Sequence, residues 1–273
     1  MGQDERPPSE SALTALWVKE RAAGWQVAPG NEELNEILRR LGRWRSRLLA
    51  NTFVAHHGPR VLQGPFAGME YVAEATEGAL MPRLLGSYEA ELHPYLAAFA
   101  KDGLDCVIDV GCAEGYYAVG LARMIPGAEV HAHDIDAAAL EACADLATRN
   151  GVSQRVIVGG EFMPEDFEAF ADRRVLVMVD AEGAADDILQ PDRSPALAGM
   201  RLIVETHEVY RPGVRERLVE RFAPTHDIVT VQPQLKAVPM PPWLERLGHL
   251  DQLLATWEWR LAATPWLVMT PKT

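Results

Sequence analysis

The sequence has few cysteines and no long apolar run. Its three cysteines, Cys106, Cys112 and Cys143, lack the spacing of a metal site, and an odd number cannot all pair within one chain. No apolar stretch reaches the roughly eighteen residues that a membrane-spanning helix needs. The polar N-terminus, with Pro7 and Pro8, lacks the apolar segment of a secretory signal. We therefore expect a protein of the reducing cytoplasm that does not enter a membrane.

Positive charge is scarce as well. The 273 residues include 26 Lys and Arg against 39 Asp and Glu, which gives a net charge of −13. Such a chain repels a phosphate backbone, so we expect no nucleic-acid partner. The content of 48% hydrophobic and 24% charged residues is that of a globular protein and excludes disorder or a coiled coil.

The first hundred residues differ in pattern from the rest. Residues 1–60 have helical apolar spacing on both sides of a turn at residues 28–31, which predicts an N-terminal helical appendage that could pair two copies in a homo-oligomer. Residues 61–103 predict a connecting loop or hairpin followed by a helix. The appendage carries an arginine cluster that we interpret as a solvated helix face. The alternative is that the cluster binds an acidic partner or a phosphorylated substrate. The cluster consists of Arg39, Arg40, Arg43, Arg45 and Arg47.

Residues 104–273 alternate short β-rich runs with helices. This alternation predicts an α/β domain with a Rossmann-like, doubly wound, mostly parallel seven-stranded sheet. The predicted strands are 106–110, 128–133, 155–158, 174–179, 201–205, 228–232 and 266–269. Residues 233–264 form an insertion before the last strand, and we expect the insertion and the appendage to cover a ligand pocket.

A glycine-bearing turn joins the first predicted strand to the next helix. It reads D-x-G-x-A-x-G, with Asp109, Gly111, Ala113 and Gly115, and we call residues 109–115 the motif turn. In a doubly wound fold this turn opens the ligand crevice. Its glycines let the backbone approach a ligand closely. Asp134 ends the second strand, where a carboxylate can bind both hydroxyls of a ribose.

The motif turn departs from a dinucleotide-binding fingerprint. That fingerprint needs glycine at the positions that Ala113 and Tyr116 occupy. The carboxylate of Asp109 suits a cationic amino acid better than a diphosphate. A nicotinamide-dependent oxidoreductase is therefore the weaker alternative, and a non-catalytic domain that binds a nucleoside or a protein is another.

With these residues the chain resembles class I S-adenosylmethionine-dependent methyltransferases. The motif turn matches the first motif of that family, with Ala113 in place of the usual middle glycine, and Asp134 matches its ribose-binding acid. The resemblance implies S-adenosylmethionine as cofactor. It also implies that Glu161 and Phe162, after the third strand, contact adenine.

A narrower resemblance covers two later segments. The run D-A-E-G at residues 180–183 and the run E-T-H-E at residues 205–208 are similar to FkbM-type methyltransferases. This resemblance implies O-methylation of a small molecule, such as a sugar or a natural-product hydroxyl.

One histidine and four acids follow the fourth and fifth strands. His207 is the candidate general base for an alcohol acceptor, because imidazole titrates near neutral pH, and Asp180 lies beside it in strand order. Glu182, Glu205 and Glu208 are candidates for substrate contacts. A divalent metal held by these acids is an alternative that we do not favour. We prefer one acid that orients His207, one that contacts cofactor or substrate, and others that cap helices.

Overall fold

The computed structural model describes residues 8–25, 27–72 and 78–272. One seven-stranded sheet runs through the centre of the molecule. Its strands are β1 Cys106–Val110, β2 Glu129–His133, β3 Val156–Gly159, β4 Val175–Val179, β5 Arg201–Glu205, β6 His226–Val231 and β7 Trp266–Pro271. They lie in the order β3-β2-β1-β4-β5-β7-β6, and β7 is antiparallel to both of its neighbours. The predicted Rossmann-like, mostly parallel sheet with N-terminal helices is confirmed, and every strand end lies within two residues of its prediction.

Helices cover both faces of the sheet. The α-helices among the described residues are α1 Glu10–Ala23, α2 Asn31–His57, α3 Leu80–Leu85, α4 His93–Phe99, α5 Tyr116–Met124, α6 Ala137–Arg149, α7 Ala185–Ile188, α8 Val214–Phe222, α9 Pro242–Glu245 and α10 His249–Ala255. None of them is long and apolar enough to span a bilayer. Because helices cover both faces, all residues of β1 and β4 are buried, which explains their continuous apolar runs.

The N-terminal helices pack on the sheet domain through the same core. Leu49 and Phe53 of α2 belong to one apolar cluster with Val107 of β1. Arg45 also donates two hydrogen bonds, of 2.7 and 2.8 Å, to the Asp251 carboxylate on α10. The second predicted segment contains α3 and α4, and its Glu70 forms an isolated antiparallel bridge with Arg60 at the end of the first segment. The predicted domain limits at residues 60 and 103, and the limits of the insertion at 233–264, stay predictions.

Gly120 marks the closest approach between α5 and the connecting segment. A Cβ atom at Gly120 would lie 2.7 Å from ring atoms of Phe66, a buried residue. We expect Gly120→Ala to lower the free energy of unfolding by about 1–2 kcal/mol, because overpacking outweighs the gain in helix propensity. Urea unfolding measures this change.

Gly127→Ala is the matched control, because nothing lies within 4 Å of a Cβ at that position. Its free energy of unfolding should stay within about 0.5 kcal/mol of the wild-type value. Equal stabilities of the two variants would contradict the packing that we describe for α5.

Candidate active site

The motif turn follows β1 at the carboxyl edge of the sheet, and its glycines are sterically required. Gly111 has φ +86°, and a Cβ there would overlap the backbone oxygen of Asp180. Gly115 has φ +91°, and a Cβ there would lie 2.7 Å from Sγ of Cys143. The turn therefore lies directly against the end of β4 and against α6, as the sequence predicts for a turn that approaches other groups closely.

Asp134 holds the middle of the motif turn. One of its carboxylate oxygens accepts a hydrogen bond from the Ala113 amide at 2.9 Å, and the other accepts one from the Asp136 amide at 2.9 Å. Ala113 has φ +45°, an unfavourable left-handed conformation for alanine. The hydrogen bond to Asp134 helps to retain that conformation. A carboxylate has about four acceptor sites, so Asp134 can still bind ribose hydroxyls.

Asp109 is an incompletely satisfied carboxyl group in a buried place. Its side chain is 2% exposed and is hydrogen-bonded by the Ala118 amide, but Oδ2 has no hydrogen-bond partner among the described residues. Burial raises the pKa of Asp109 to about 7, and the nearby charge of Asp134 contributes to the increase. Asp109 lines a small pocket together with Gly111 and Asp180. An ammonium group in this pocket would satisfy the carboxylate.

The two predicted adenine-contacting residues lie beyond β3. Glu161 is exposed. Phe162 is 5% exposed, and its ring packs edge-on against His133 and Phe167 at centroid distances of 4.7 and 4.8 Å. Phe162 therefore contributes to the core beside the end of β2. Contact of either residue with adenine stays a prediction.

His207 lies between two carboxylates at the adjacent ends of β4 and β5. Its Nε2 is 3.1 Å from Oε2 of Glu205 and 3.6 Å from Oδ1 of Asp180. Parallel neighbouring strands end at the same edge of the sheet, which is why residues 180 and 205 meet. With Nε2–H donated to Glu205, Nδ1 keeps a lone pair, but this atom is buried and no described residue hydrogen-bonds to it.

The Asp180 and Glu205 carboxyl groups titrate as an unequal pair. Burial and the neighbouring Glu205 raise the pKa of Asp180 well above its ordinary value. Burial alone would also raise the pKa of Glu205, but hydrogen bonds from His207 and Asp180, with the charge of Arg260, hold that pKa well below its ordinary value. Of the two, Asp180 is therefore the carboxyl group that holds a proton more readily, and Glu205 is the carboxylate that orients His207.

Arg260, from the insertion, joins the acids around this site. Its guanidinium forms ion pairs with Glu89 and Glu205, and its Nε is 2.9 Å from the Glu258 carboxylate. Glu258 is also 3.3 Å from Lys236. Burial raises the pKa of Glu89 to about 7, although Arg260 opposes that increase. The side-chain exposures of these acids are 0% for Glu89, 4% for Glu205 and 6% for Glu258, so their charges depend on these pairs.

The two remaining predicted acids have separate positions. Glu182 is exposed, has φ +39° and lines an open cleft that His207 and Arg260 also line. Glu208 accepts hydrogen bonds from the amides of Gly213 at 2.8 Å and Arg215 at 3.0 Å. Glu208 thus caps the start of α8, as one of the sequence alternatives held.

Three of these side chains are arranged as possible metal ligands. One ligand atom from each of Asp180, Glu205 and His207 lies within 4.8 Å of the other two. Two carboxylates and one imidazole can bind a divalent cation. However, Arg260 already pairs with Glu205, and Glu205 with His207, so the arrangement is satisfied by protein groups.

Sequence reasoning missed the charged residues that surround this site from other segments. Glu89 precedes a short 3₁₀ helix, and Lys236, Glu258 and Arg260 lie in irregular parts of the insertion. They carry no motif or periodic pattern that relates them to His207. The one available indication is that the insertion contains both acidic and basic residues. Where such an insertion covers a pocket, those of its charged residues that are buried must pair with opposite charges.

A family comparison matches the middle of the chain. Residues 95–174 match the model described as methyltransferase small domain, which covers β1 to β3 and the motif turn. The release factor glutamine methyltransferase of Chlorobaculum tepidum is 34% identical over 96 residues, which are 33% of this chain and 31% of that protein. The match thus spans about a third of the length of that curated relative.

Solved structures with similar folds extend over nearly the whole chain at low identity. The O-methyltransferase from Bacillus cereus in complex with SAH is 11% identical with a TM-score of 0.47, and the match covers 95% of this chain and 100% of that one. The O-methyltransferase TomG from Streptomyces achromogenes in complex with SAM is 14% identical with a TM-score of 0.45, and the match covers 98% and 100%.

Asp109→Asn tests the role of the buried carboxyl group. We expect it to weaken binding of S-adenosylhomocysteine about tenfold or more, because the ammonium loses a buried anionic partner. In the wild type, lowering the pH from 8 to 6 protonates Asp109 and should weaken binding, whereas the variant should lack this dependence. Calorimetric titrations across this range, with oxidised nicotinamide cofactor as the non-binding control, measure both effects.

The same substitution should stabilise the free protein at high pH. The pKa of Asp109 is about 7 in the folded state and about 3.9 in an unfolded chain, so its ionisation disfavours folding increasingly as the pH rises from about 4 through 7. An asparagine side chain cannot ionise, so Asp109→Asn should raise the free energy of unfolding by up to about 4 kcal/mol at pH 8.

For the binding test, a variant that binds S-adenosylhomocysteine with the affinity and the pH dependence of the wild type would contradict the role assigned to Asp109.

Proposed function

We propose that this chain, whose central domain is a class I S-adenosylmethionine-dependent methyltransferase domain, methylates a hydroxyl oxygen of a small molecule. The observation that carries the proposal is the pairing of His207 with Glu205 at the strand ends next to the motif turn. A sugar or natural-product hydroxyl of the FkbM type is the acceptor class that we favour.

The cofactor would be held by groups that the free protein already positions. Asp134 would bind the ribose hydroxyls, and the unpaired Oδ2 of Asp109 would face the ammonium of the methionine moiety. Gly111 and Gly115 would allow the backbone to approach the nucleoside, with Ala113 between them. Glu161 and Phe162 remain our candidates for the adenine side. Bound S-adenosylmethionine supplies a methyl group on a sulfonium that becomes a neutral thioether when the methyl group leaves.

His207 would act on the acceptor. As the carbon–oxygen bond forms, the hydroxyl proton moves to Nδ1 of His207, and the resulting imidazolium is stabilised by the Glu205 carboxylate through Nε2. Arg260 keeps Glu205 ionised and fixed in position. Asp180 supports the pair and borders the cofactor pocket, so its removal should have a smaller effect than removal of the imidazole.

The relative from Chlorobaculum tepidum is named for a glutamine acceptor, which is an amide. An acceptor hydroxyl must lose a proton, and a positioned imidazole–carboxylate pair serves that need. This pair favours a hydroxyl acceptor in the present chain. Glu182, which lines the cleft, would contact the acceptor.

His207→Ala tests the proposed base. We expect kcat to fall about 10²- to 10⁴-fold, while the affinity for S-adenosylhomocysteine stays within about threefold, because a general base acts on the acceptor only. Transfer of labelled methyl groups from S-adenosylmethionine to a panel of sugars and phenols measures kcat. Added imidazole should restore part of the activity.

The matched control is His249→Ala, which removes an exposed histidine of α10. It should retain wild-type turnover. Asp180→Asn should lower kcat less than His207→Ala does. If His207→Ala and Asp180→Asn both leave methyl transfer unchanged, His207 is not the base.

Chelation distinguishes the base from a metal centre. Because Arg260 and His207 already satisfy Glu205, we expect methyl transfer to persist in EDTA after dialysis. The measurement compares initial rates with EDTA, without addition, and with excess Mg²⁺. Loss of activity in EDTA that Mg²⁺ restores would instead assign Asp180, Glu205 and His207 to a cation.

A further inference from the structure

One arginine of the N-terminal helices lines the cleft beside His207. Arg43 of α2 borders this open cleft together with Trp259 and Arg260. Its guanidinium carbon lies 5.6 Å from the centroid of the Trp259 ring. The cleft therefore has His207 in its wall and a cationic side chain from a distant part of the sequence.

The positive charge of Arg43 is not neutralised, unlike that of its helical neighbours. Arg45 pairs with Asp251, and Arg47, which lies over the same tryptophan ring, pairs with Glu10. Arg43 forms no hydrogen bond or ion pair with any residue from 8–25, 27–72 or 78–272, and its Nε is buried without a partner. An arginine donor that is buried without a partner is unfavourable, and an acceptor group bound beside it would relieve that cost.

The other charges of the cleft do not compete for this arginine. Arg260 uses its donors on Glu89, Glu205 and Glu258. Two of these acids, Glu205 and Glu258, line the cleft but are already paired. Glu182 lines the cleft too and lies beyond 4 Å of the Arg43 guanidinium. Within the described part of the chain, Arg43 is thus the cleft arginine whose donors are still available to a ligand.

We propose that Arg43 binds an anionic group, a carboxylate or a phosphate, on the methyl acceptor. The proposal rests on the proposed function, because it assigns the substrate class of the same cleft. A guanidinium presents a planar pair of donors that fits either anion in two parallel hydrogen bonds. The cation–π contact with Trp259 limits the motion of the guanidinium and reduces the entropy lost on binding. The acceptor is then a hydroxylated acid or a phosphorylated hydroxyl compound, with its hydroxyl at His207 and its anion at Arg43.

The experiment is a calorimetric titration with small anions. Inorganic phosphate and benzoate are titrated separately into the full-length wild type and into Arg43→Gln, with and without saturating S-adenosylhomocysteine. We expect one of the two anions to bind the wild type, and Arg43→Gln to bind it about tenfold more weakly, because a charge-assisted pair is lost. The two arms separate a phosphate site from a carboxylate site.

Arg39→Gln is the matched control, since Arg39 is an exposed arginine on the same helix. It should bind the anion like the wild type. Absence of binding to the wild type, or equal affinities of Arg43→Gln and the wild type, would overturn the proposal. Equal weakening in both variants would also overturn it, because it would indicate a diffuse effect of net charge.

Failure of this proposal differs from failure of the proposed function. If S-adenosylhomocysteine does not bind the wild type, the methyltransferase proposal fails whatever the anions do. If S-adenosylhomocysteine binds Arg43→Gln as it binds the wild type but neither anion binds the wild type, the acceptor class alone is wrong. Circular dichroism of Arg43→Gln checks that α2 remains folded.

Discussion

The geometry of the site depends on ion pairs that neutralise three acids buried close together. Glu89, Glu205 and Glu258 come from three distant segments, and the guanidinium of Arg260 pairs with all three. Without that cation, a carboxylate in such surroundings would take up a proton instead. Glu205 would then lose the charge that orients His207. The proposed acceptor side of the site therefore depends on electrostatic pairing more than on a rigid turn.

The cofactor side depends on a steric constraint instead. The backbone of the motif turn passes so close to Asp180 and Cys143 that glycine is needed at positions 111 and 115. Such a constraint is local and is visible in the sequence as glycine at these two positions. The seven strands were predictable for a similar reason, since β1 and β4 are buried on both faces and appear as continuous apolar runs. Strand order predicted that His207 lies beside Asp180, whereas the convergence of the Asp180 and Glu205 oxygens on His207 could not be read from sequence spacing.

Other parts of the site could not be predicted, because their partners are distant in sequence. Nothing near Glu89 indicates that Arg260 lies against it, and the pattern around Arg43 is that of an ordinary exposed helix. Glu208 matched a resemblance motif, yet its carboxylate caps α8, because the chain turns back at Gly213. The FkbM-type likeness, the cytoplasmic location and the homo-oligomer through residues 1–60 stay predictions.

The two halves of the site differ in how much chain must be in place before they can form. Asp134 and Ala113 are 21 residues apart, whereas Arg260 and Glu89 are 171 apart, and Arg45 and Asp251 are 206 apart. Contacts of long sequence separation form late and raise the entropic barrier to folding. During synthesis, the contact between Asp134 and Ala113 can form while the insertion is still unmade. The pairs of Arg260 with Glu89 and Glu205 need the insertion, so the proposed acceptor wall forms later than the proposed cofactor crevice.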